Sequence, residues 1–256
     1  MKTPSDASWT IRKLFGIRGL GQPLIQYRIG NGAGTFLWYT PSTLKPDSLR
    51  EDYVVWVPHP SGHYSVAFAW EALRIRRPNP PWAAIVWSKQ MVPRWAFVLW
   101  MAVQTKLCTK DRLANWGMQV DDKCVLCNNA RETHHHLFFQ CPFSSMVWQQ
   151  VLVRTLVPGI PNTLVDIVDW LVQYGTSKVF KNLVLHSTLA AAVYGIWIER
   201  NTRVFQGLSK QVDVASLNVV NSIRDFLCSR RRVKNSTLNR ALGDKWRLPD
   251  SIFSPM

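Results

Sequence analysis

Cys124-Val-Leu-Cys127 is followed by Thr133-His134-His135-His136-Leu-Phe-Phe-Gln-Cys141-Pro142, so four soft or borderline ligands fall within eighteen positions as C-x2-C-x8-H-x4-C. Zinc takes about four nitrogen or sulfur ligands in a tetrahedron, and a C-x2-C pair lets two thiolates reach one ion from a tight turn. His136 and Cys141 leave room for one helical turn between the last two ligands. Together Cys124, Cys127, His136 and Cys141 close the shell without water, which predicts a structural Zn2+ site rather than a catalytic one. A surface CxxC beside a fortuitous histidine run, or a redox pair, is the competing reading. Three histidines are adjacent here. With His136 as ligand, His134 and His135 read as exposed or supporting residues, and His134 stays as the alternative ligand. Leu137, Phe138 and Phe139 would pack beneath the ion and exclude water.

The other chemistry-bearing residues read as structural. Cys108 lies between Leu107 and Thr109, and Cys228 follows Phe226-Leu227, so each is expected to be a small buried hydrophobe. Neither has a histidine placed in sequence to activate it. Five cysteines, with no leading apolar segment, argue against a disulfide framework and against secretion. His59, His63 and His186 are isolated, and His186 sits in a helical apolar run with Leu183, Val184, Leu185 and Leu189. Gly30-Asn31-Gly32 lacks the Gly-Lys-Ser/Thr ending of a phosphate loop. Basic clusters occur at Arg74, Arg76, Arg77 and at Arg230-Arg231-Arg232 with Lys234. The second cluster falls at the expected end of a helix, where cations complement the dipole; it is also the candidate nucleic-acid-binding or nuclear-import patch.

The elements that must position these residues are mostly helical. Residues 1–60 carry Gly19, Gly21, Pro41, Pro46, Pro58 and Pro60 as breakers, and short strands are predicted near Ile25–Ile29 and Thr35–Tyr39. Ser65 can cap a helix reaching about Arg76, stopped by the linker Pro78-Asn79-Pro80-Pro81. Pro93 opens a second helix to about Thr105, Thr109 caps a third that Gly117 stops, and Pro142 opens a fourth to about Leu152. Beyond Pro158-Gly159-Ile160-Pro161, helices are predicted near 163–174, 177–206 and 211–232. The run Leu183–Ile198 is interrupted by His186, Ser187 and Thr188 and bounded by Lys181 and Glu199-Arg200, so it reads as a buried core helix and not a membrane span. The domain reading is an irregular or short-β segment 1–60, a zinc-binding helical domain 61–157, and a C-terminal helical region 158–256 with a basic tail.

These residues carry a family resemblance. Trp87, Pro93-Arg-Trp95-Ala-Phe97-Val-Leu99-Trp100, Leu107-Cys-Thr109-Lys-Asp-Arg112-Leu113-Ala-Asn-Trp116-Gly117, the cysteine–histidine run and Cys141-Pro142-Phe143-Ser144 with Val147-Trp148 resemble one zinc-binding domain. It is the domain that follows the reverse transcriptase in plant LINE-type (non-LTR) retrotransposon polyproteins. Arg28-Ile29-Gly30-Asn31-Gly32, Gly62-His-Tyr64-Ser65-Val66 with Trp70-Glu71, and Ile196-Trp197-Ile-Glu199-Arg200-Asn201 extend it in both directions. The polymerase chemistry of the family does not carry over. A palm needs Tyr-x-Asp-Asp to hold two magnesium ions, whereas Asp121-Asp122 follows Gln119-Val120 and abuts the first zinc cysteine, as a solvated turn would. The span before and after the matched region leaves no room for a polymerase or an RNase H domain, so the resemblance implies a downstream fragment of a retroelement polyprotein.

Composition agrees with a packed, non-disordered chain: 47% hydrophobic residues and thirteen tryptophans. Lys and Arg total 31 against 16 Asp and Glu, for a net charge of +15, which attracts polyanions in a salt-sensitive way. The expectation is a mostly α-helical, zinc-stabilised, non-catalytic protein of retroelement origin, intracellular and favouring the nucleus, that binds RNA or single-stranded DNA. A zinc-scaffolded protein–protein interaction module and a non-functional retroelement relic are the alternatives.

Overall fold

The computed structural model describes residues 19–33, 49–76, 78–88, 90–177 and 179–254. The chain divides into two compact units, Met1–Pro78 and Asn79–Met256, and the break falls within the proline cluster read as a linker.

In the first unit β1 (Ile25–Arg28) pairs antiparallel with β2 (Tyr53–Trp56), with Ile25 opposite Trp56 and Arg28 opposite Tyr53. The strand expected at Thr35–Tyr39 lies outside the described residues, and the partner of β1 comes instead from beyond it. Gly30 explains the pairing. A Cβ there would stand 2.2 Å from the Arg50 carbonyl oxygen, so only glycine lets the two segments close. Asp52 Oδ1 then accepts from the amides of Gly30 (2.7 Å) and Gly32 (2.9 Å). Trp56 is buried and meets Tyr64 edge-on at 5.3 Å. Ser65 caps α1 (Val66–Leu73) by accepting from the Phe68 amide, and the helix ends three residues before Arg76 because Arg74 turns extended. No residue of α1 is buried.

The second unit is built from α2 (Ala83–Val86), α3 (Pro93–Val103), α4 (Lys110–Asn115), α5 (Pro142–Leu152), α6 (Leu164–Tyr174), α7 (Phe180–Gln206), α8 (Val212–Cys228) and α9 (Thr237–Trp246). Prolines open α3 and α5, while Thr163 and Ser236 cap α6 and α9 with their hydroxyls. The axis of the unit is α7, about 40 Å long at 1.5 Å per residue. Val184, Leu185, Leu189–Val193 and Ile196 are buried on it, and α3, α5 and α8 pack around it. Among the described residues no helix is long and apolar enough to cross a membrane. Gly195 lets α8 approach closely, since a Cβ would meet Val219 at 2.6 Å. One core runs from Ile85 to Trp246, so residues of segments 61–157 and 158–256 share it.

Two expectations need correction. Cys108 is exposed, because it alternates with buried Leu107 and Thr109 in a short extended stretch and so faces outward. The helix predicted for 211–232 stops at Cys228. Val233 exchanges backbone hydrogen bonds with Ile252 and Ser254, and this bridge draws the chain off the helix axis. The basic residues therefore lie beyond the helix end rather than in its last turn. Helix α9 was not predicted.

Candidate metal centre

The first half of the centre is a turn at Cys124–Asn128. Cys124 N donates to Ala130 O and Asn128 N to Cys124 O, both at 2.7 Å, with Asn128 in the left-handed region that asparagine tolerates. This folds the amides of Leu126 and Cys127 toward Cys124 Sγ. The second half starts where Thr133 Oγ1 accepts from His136 N at 3.1 Å, opening a single wide turn that Cys141 N closes onto His136 O at 2.6 Å. Inside it Phe139 sits at φ 78°, a strained value for a side chain with a Cβ. Its buried ring stacks on Trp148 at 4.7 Å, and its amide donates to Ser144 Oγ, which hold the conformation. Pro142 then starts α5, whose first-turn amides at Phe143 and Ser144 point at Cys141 Sγ.

The two halves meet. One ligand atom from each of Cys124, Cys127, His136 and Cys141 lies within 4.8 Å of the others, and the four form a possible metal site. Cys124 Sγ is 3.9 Å from Cys141 Sγ, and Cys127 Sγ is 3.4 Å from His136 Nε2. A tetrahedron of about 2.3 Å zinc–sulfur bonds places its sulfurs about 3.8 Å apart, so donor chemistry and spacing both fit Zn2+. The sulfur contact from Cys141, with help from the Cys127 and Leu126 amides, pulls the Cys124 thiol down to about 5. The same contact and burial push Cys141 up. A divalent ion would hold both as thiolates.

Leu137, Phe138 and Phe139 are buried beneath the cluster. His135 is exposed. His134 is not exposed but buried, outside the four, with Nδ1 3.2 Å from Thr109 Oγ1; burial pushes its pKa to about 4 and keeps it neutral. Asp121 and Asp122 form the exposed approach, paired at 3.7 Å with Lys110 and at 3.5 Å with Arg131.

Glu132, Arg200 and Arg203 are the residues that spacing did not single out for the site. Glu132 is fully buried, and its Oε1 accepts from Lys110 N (3.0 Å) and from Arg200 Nε and Nη2 (3.1 and 2.6 Å). It, and not the Thr109 hydroxyl, supplies the amide cap of α4. Arg203 Nη1 donates to the carbonyls of Leu126 (3.0 Å) and Val125 (3.4 Å), while Nε is held by Glu199 at 2.9 Å. The visible signal was the Arg200/Arg203 pair, three apart on one face of the helix just beyond its apolar run 189–198.

The basic residues are not members of this cluster. Arg74 and Arg76 are both held by Glu71, and Arg77 lies outside the described residues. Arg230 is half-buried over the Phe226 ring at 4.5 Å, whereas Arg231, Arg232 and Lys234 are exposed. No curated protein and no solved structure matches the chain. Residues 64–148, about a third of it, match the model of the family described as zinc-binding in reverse transcriptase, and the four converging residues lie within that span.

Proposed function

We propose that Cys124, Cys127, His136 and Cys141 bind one Zn2+ as a closed structural site in a non-catalytic, nucleic-acid-binding protein of plant LINE-type retroelement origin that works in the nucleus. The observation that carries the metal assignment is the convergence of four soft or borderline donors. When bound, the ion cross-links the 124–127 turn to the start of α5. Arg28-Ile29-Gly30-Asn31-Gly32 and Glu199-Arg200-Asn201 add to the retroelement reading.

Nucleic acid is favoured by the +15 charge and by one patch on the second unit. Trp87, Phe97 and Trp116 are each about half exposed. Trp87 and Phe97 lie 6.0 and 5.7 Å from the Trp100 ring, which Lys106 covers at 5.4 Å. Arg112 covers Trp116 at 5.2 Å and donates to the Thr105 carbonyl, joining the two aromatic groups. Exposed rings with cations beside them suit single strands, because each stacked base contributes about 1–3 kcal/mol and the cations meet phosphate. RNA or single-stranded DNA is therefore the proposed ligand. The unburied face of α1, with Val66, Phe68, Trp70 and Leu73 exposed, favours a second reading, a protein–protein interaction module.

Two measurements test these readings. Metal analysis of the purified chain should give one zinc, lost in Cys124→Ser and His136→Ala; stoichiometric zinc retained in either variant removes the ligand assignment. Low-salt titration with single-stranded RNA, single-stranded DNA and duplex should show a preference for single strands that Trp87→Ala weakens. No binding to any of the three leaves the interaction module or a non-functional retroelement relic.

A further inference from the structure

We infer that Arg203, with Arg200 and Glu132, forms an outer clamp through which α7 positions the metal centre. This inference rests on the proposed ligand set. It extends the working site to a helix that starts 32 residues beyond the end of the matched family segment.

The argument starts from the peptide plane. In a trans peptide the C=O and N–H point in opposite directions from one rigid unit. The carbonyl of Val125 belongs to the same unit as the amide of Leu126, and the carbonyl of Leu126 to that of Cys127. Those two amides are the ones aimed at Cys124 Sγ. Their carbonyls are the two that Arg203 Nη1 holds, at 3.4 and 3.0 Å. A guanidinium on the carbonyl side fixes both planes and polarises them, strengthening the N–H groups as donors to sulfur. The Arg203 guanidinium also lies 4.5 Å over the ring of Phe143, whose amide faces Cys141 Sγ. One side chain thus touches both halves of the cluster.

Arg203 is itself held in place. Glu199, buried on α7, accepts from Nε at 2.9 Å, and Nη2 donates to Lys210 O at 2.9 Å. Arg200 performs the matching task on the segment between the two ligand pairs. That segment has no helix or strand of its own between Asn128 and Thr133 apart from the Lys123–Arg131 bridge. Glu132 ties it down through Arg200 and Lys110, through its amide to Asp122 O (2.7 Å), and through its carbonyl to Asp111 N (3.2 Å). Three thiolates and a neutral imidazole around a divalent ion leave one net negative charge. Partners that orient the ligands of such a site set its affinity.

The test uses the full chain and measures zinc affinity by chelator competition and site geometry by the Co2+ spectrum. Arg203→Gln should weaken zinc by about 10–100-fold and shift the Co2+ bands, with Arg203→Lys intermediate because one ammonium can meet the two carbonyls but not also Glu199 and the Lys210 carbonyl. Val219→Ala, in the α7–α8 contact, should lower the melting temperature and leave affinity and spectrum unchanged, which separates positioning from general destabilisation. Arg203 is partly accessible, so its variants keep the test available if Arg200→Gln fails to fold. Parental affinity and spectrum in Arg203→Gln overturn the inference while sparing the ligand assignment. A parent chain that takes up no zinc overturns both.

Discussion

The cysteine–histidine loop and the Arg230–Lys234 turn both bring several residues of one chemical kind close together in sequence, and they are built in opposite ways. Key side chains of the loop are held by built partners: Cys124 by amides that Arg203 orients, Glu132 by α4 and α7, Phe139 by Trp148 and Ser144. The loop accepts backbone strain at Phe139 to bring His136 and Cys141 together. In the basic turn the backbone is fixed and the charges are held only by near neighbours. Val233 is pinned against Ile252 and Phe253, Arg230 donates to Ser229 Oγ and Arg231 to the Cys228 carbonyl, while Arg231, Arg232 and Lys234 are exposed. Convergent support marks a site that must hold a geometry. Exposed charge on a fixed backbone suits a diffuse polyanion, for which geometry matters little.

Removing zinc is the strongest way to break this contrast. In small finger peptides the ion contributes on the order of 10 kcal/mol and folding fails without it. Here most residues of the core from Ile85 to Trp246 lie outside the loop. Chelation under reducing conditions should therefore lower the melting temperature by roughly 10–20 °C, equivalent to a few kcal/mol, and open the 124–141 segment to protease. Helical circular dichroism should survive. An unchanged melting temperature would mean that the loop is no more metal-built than the basic turn.

Phe139 sharpens the same contrast through strain. Phe139→Ala should cost about 3–5 kcal/mol for the lost ring. Phe139→Gly removes one more carbon yet should be no worse, because a Cβ in the left-handed region costs about 1–2 kcal/mol. Thermal melts with zinc present decide it. A glycine variant clearly less stable than the alanine variant shows that Phe139 is not strained.

The sequence could reveal the four residues that converge but not what supports them, for a physical reason. Cys124, Cys127, His136 and Cys141 are close in sequence and chemically distinctive, and helix openings at Pro93 and Pro142 are local signals. Glu132 and Arg200 are 68 positions apart, and a charge in a helix looks solvated until its partner is placed. Cys108 looked buried by its apolar neighbours, but extended backbone alternates faces, and the neighbours turned inward in its stead. Helix α9 (TLNRALGDKW) is short and polar on average, which hides its buried face of Leu242, Gly243 and Trp246, and Gly243 packs against Phe253. The β1–β2 pairing required knowing that Asp52 reaches back to a glycine turn twenty residues earlier.

The basic turn should respond oppositely to the loop. Replacing Arg230, Arg231, Arg232 and Lys234 by Ala should change stability by no more than about 1 kcal/mol, nearly all of it the Arg230–Phe226 contact. If these residues meet phosphate, the log–log salt slope for single strands should flatten by about 0.7 per lost contact. An unaltered slope with full affinity removes this turn from the interface. A large stability loss would show the turn to be as built as the loop.

The smallest effect concerns pH, and it separates the loop's acid sensitivity from that of the helical core. His186 lies on α7, 8% exposed and packed against Gly175, and burial holds its imidazole below the ordinary histidine value. The folded chain then binds fewer protons here than the unfolded chain. Stability is full above the unfolded value near 6.5 and is lost as pH falls from there toward the folded value. One proton limits the slope to about 1.4 kcal/mol per pH unit. Urea unfolding of the zinc-free protein at pH 7.5, 6.5 and 5.5 removes the competition between zinc and protons for the thiols. His186→Leu should then unfold with a shallower pH dependence than the parent. Identical slopes would place the acid sensitivity of the core in groups other than His186.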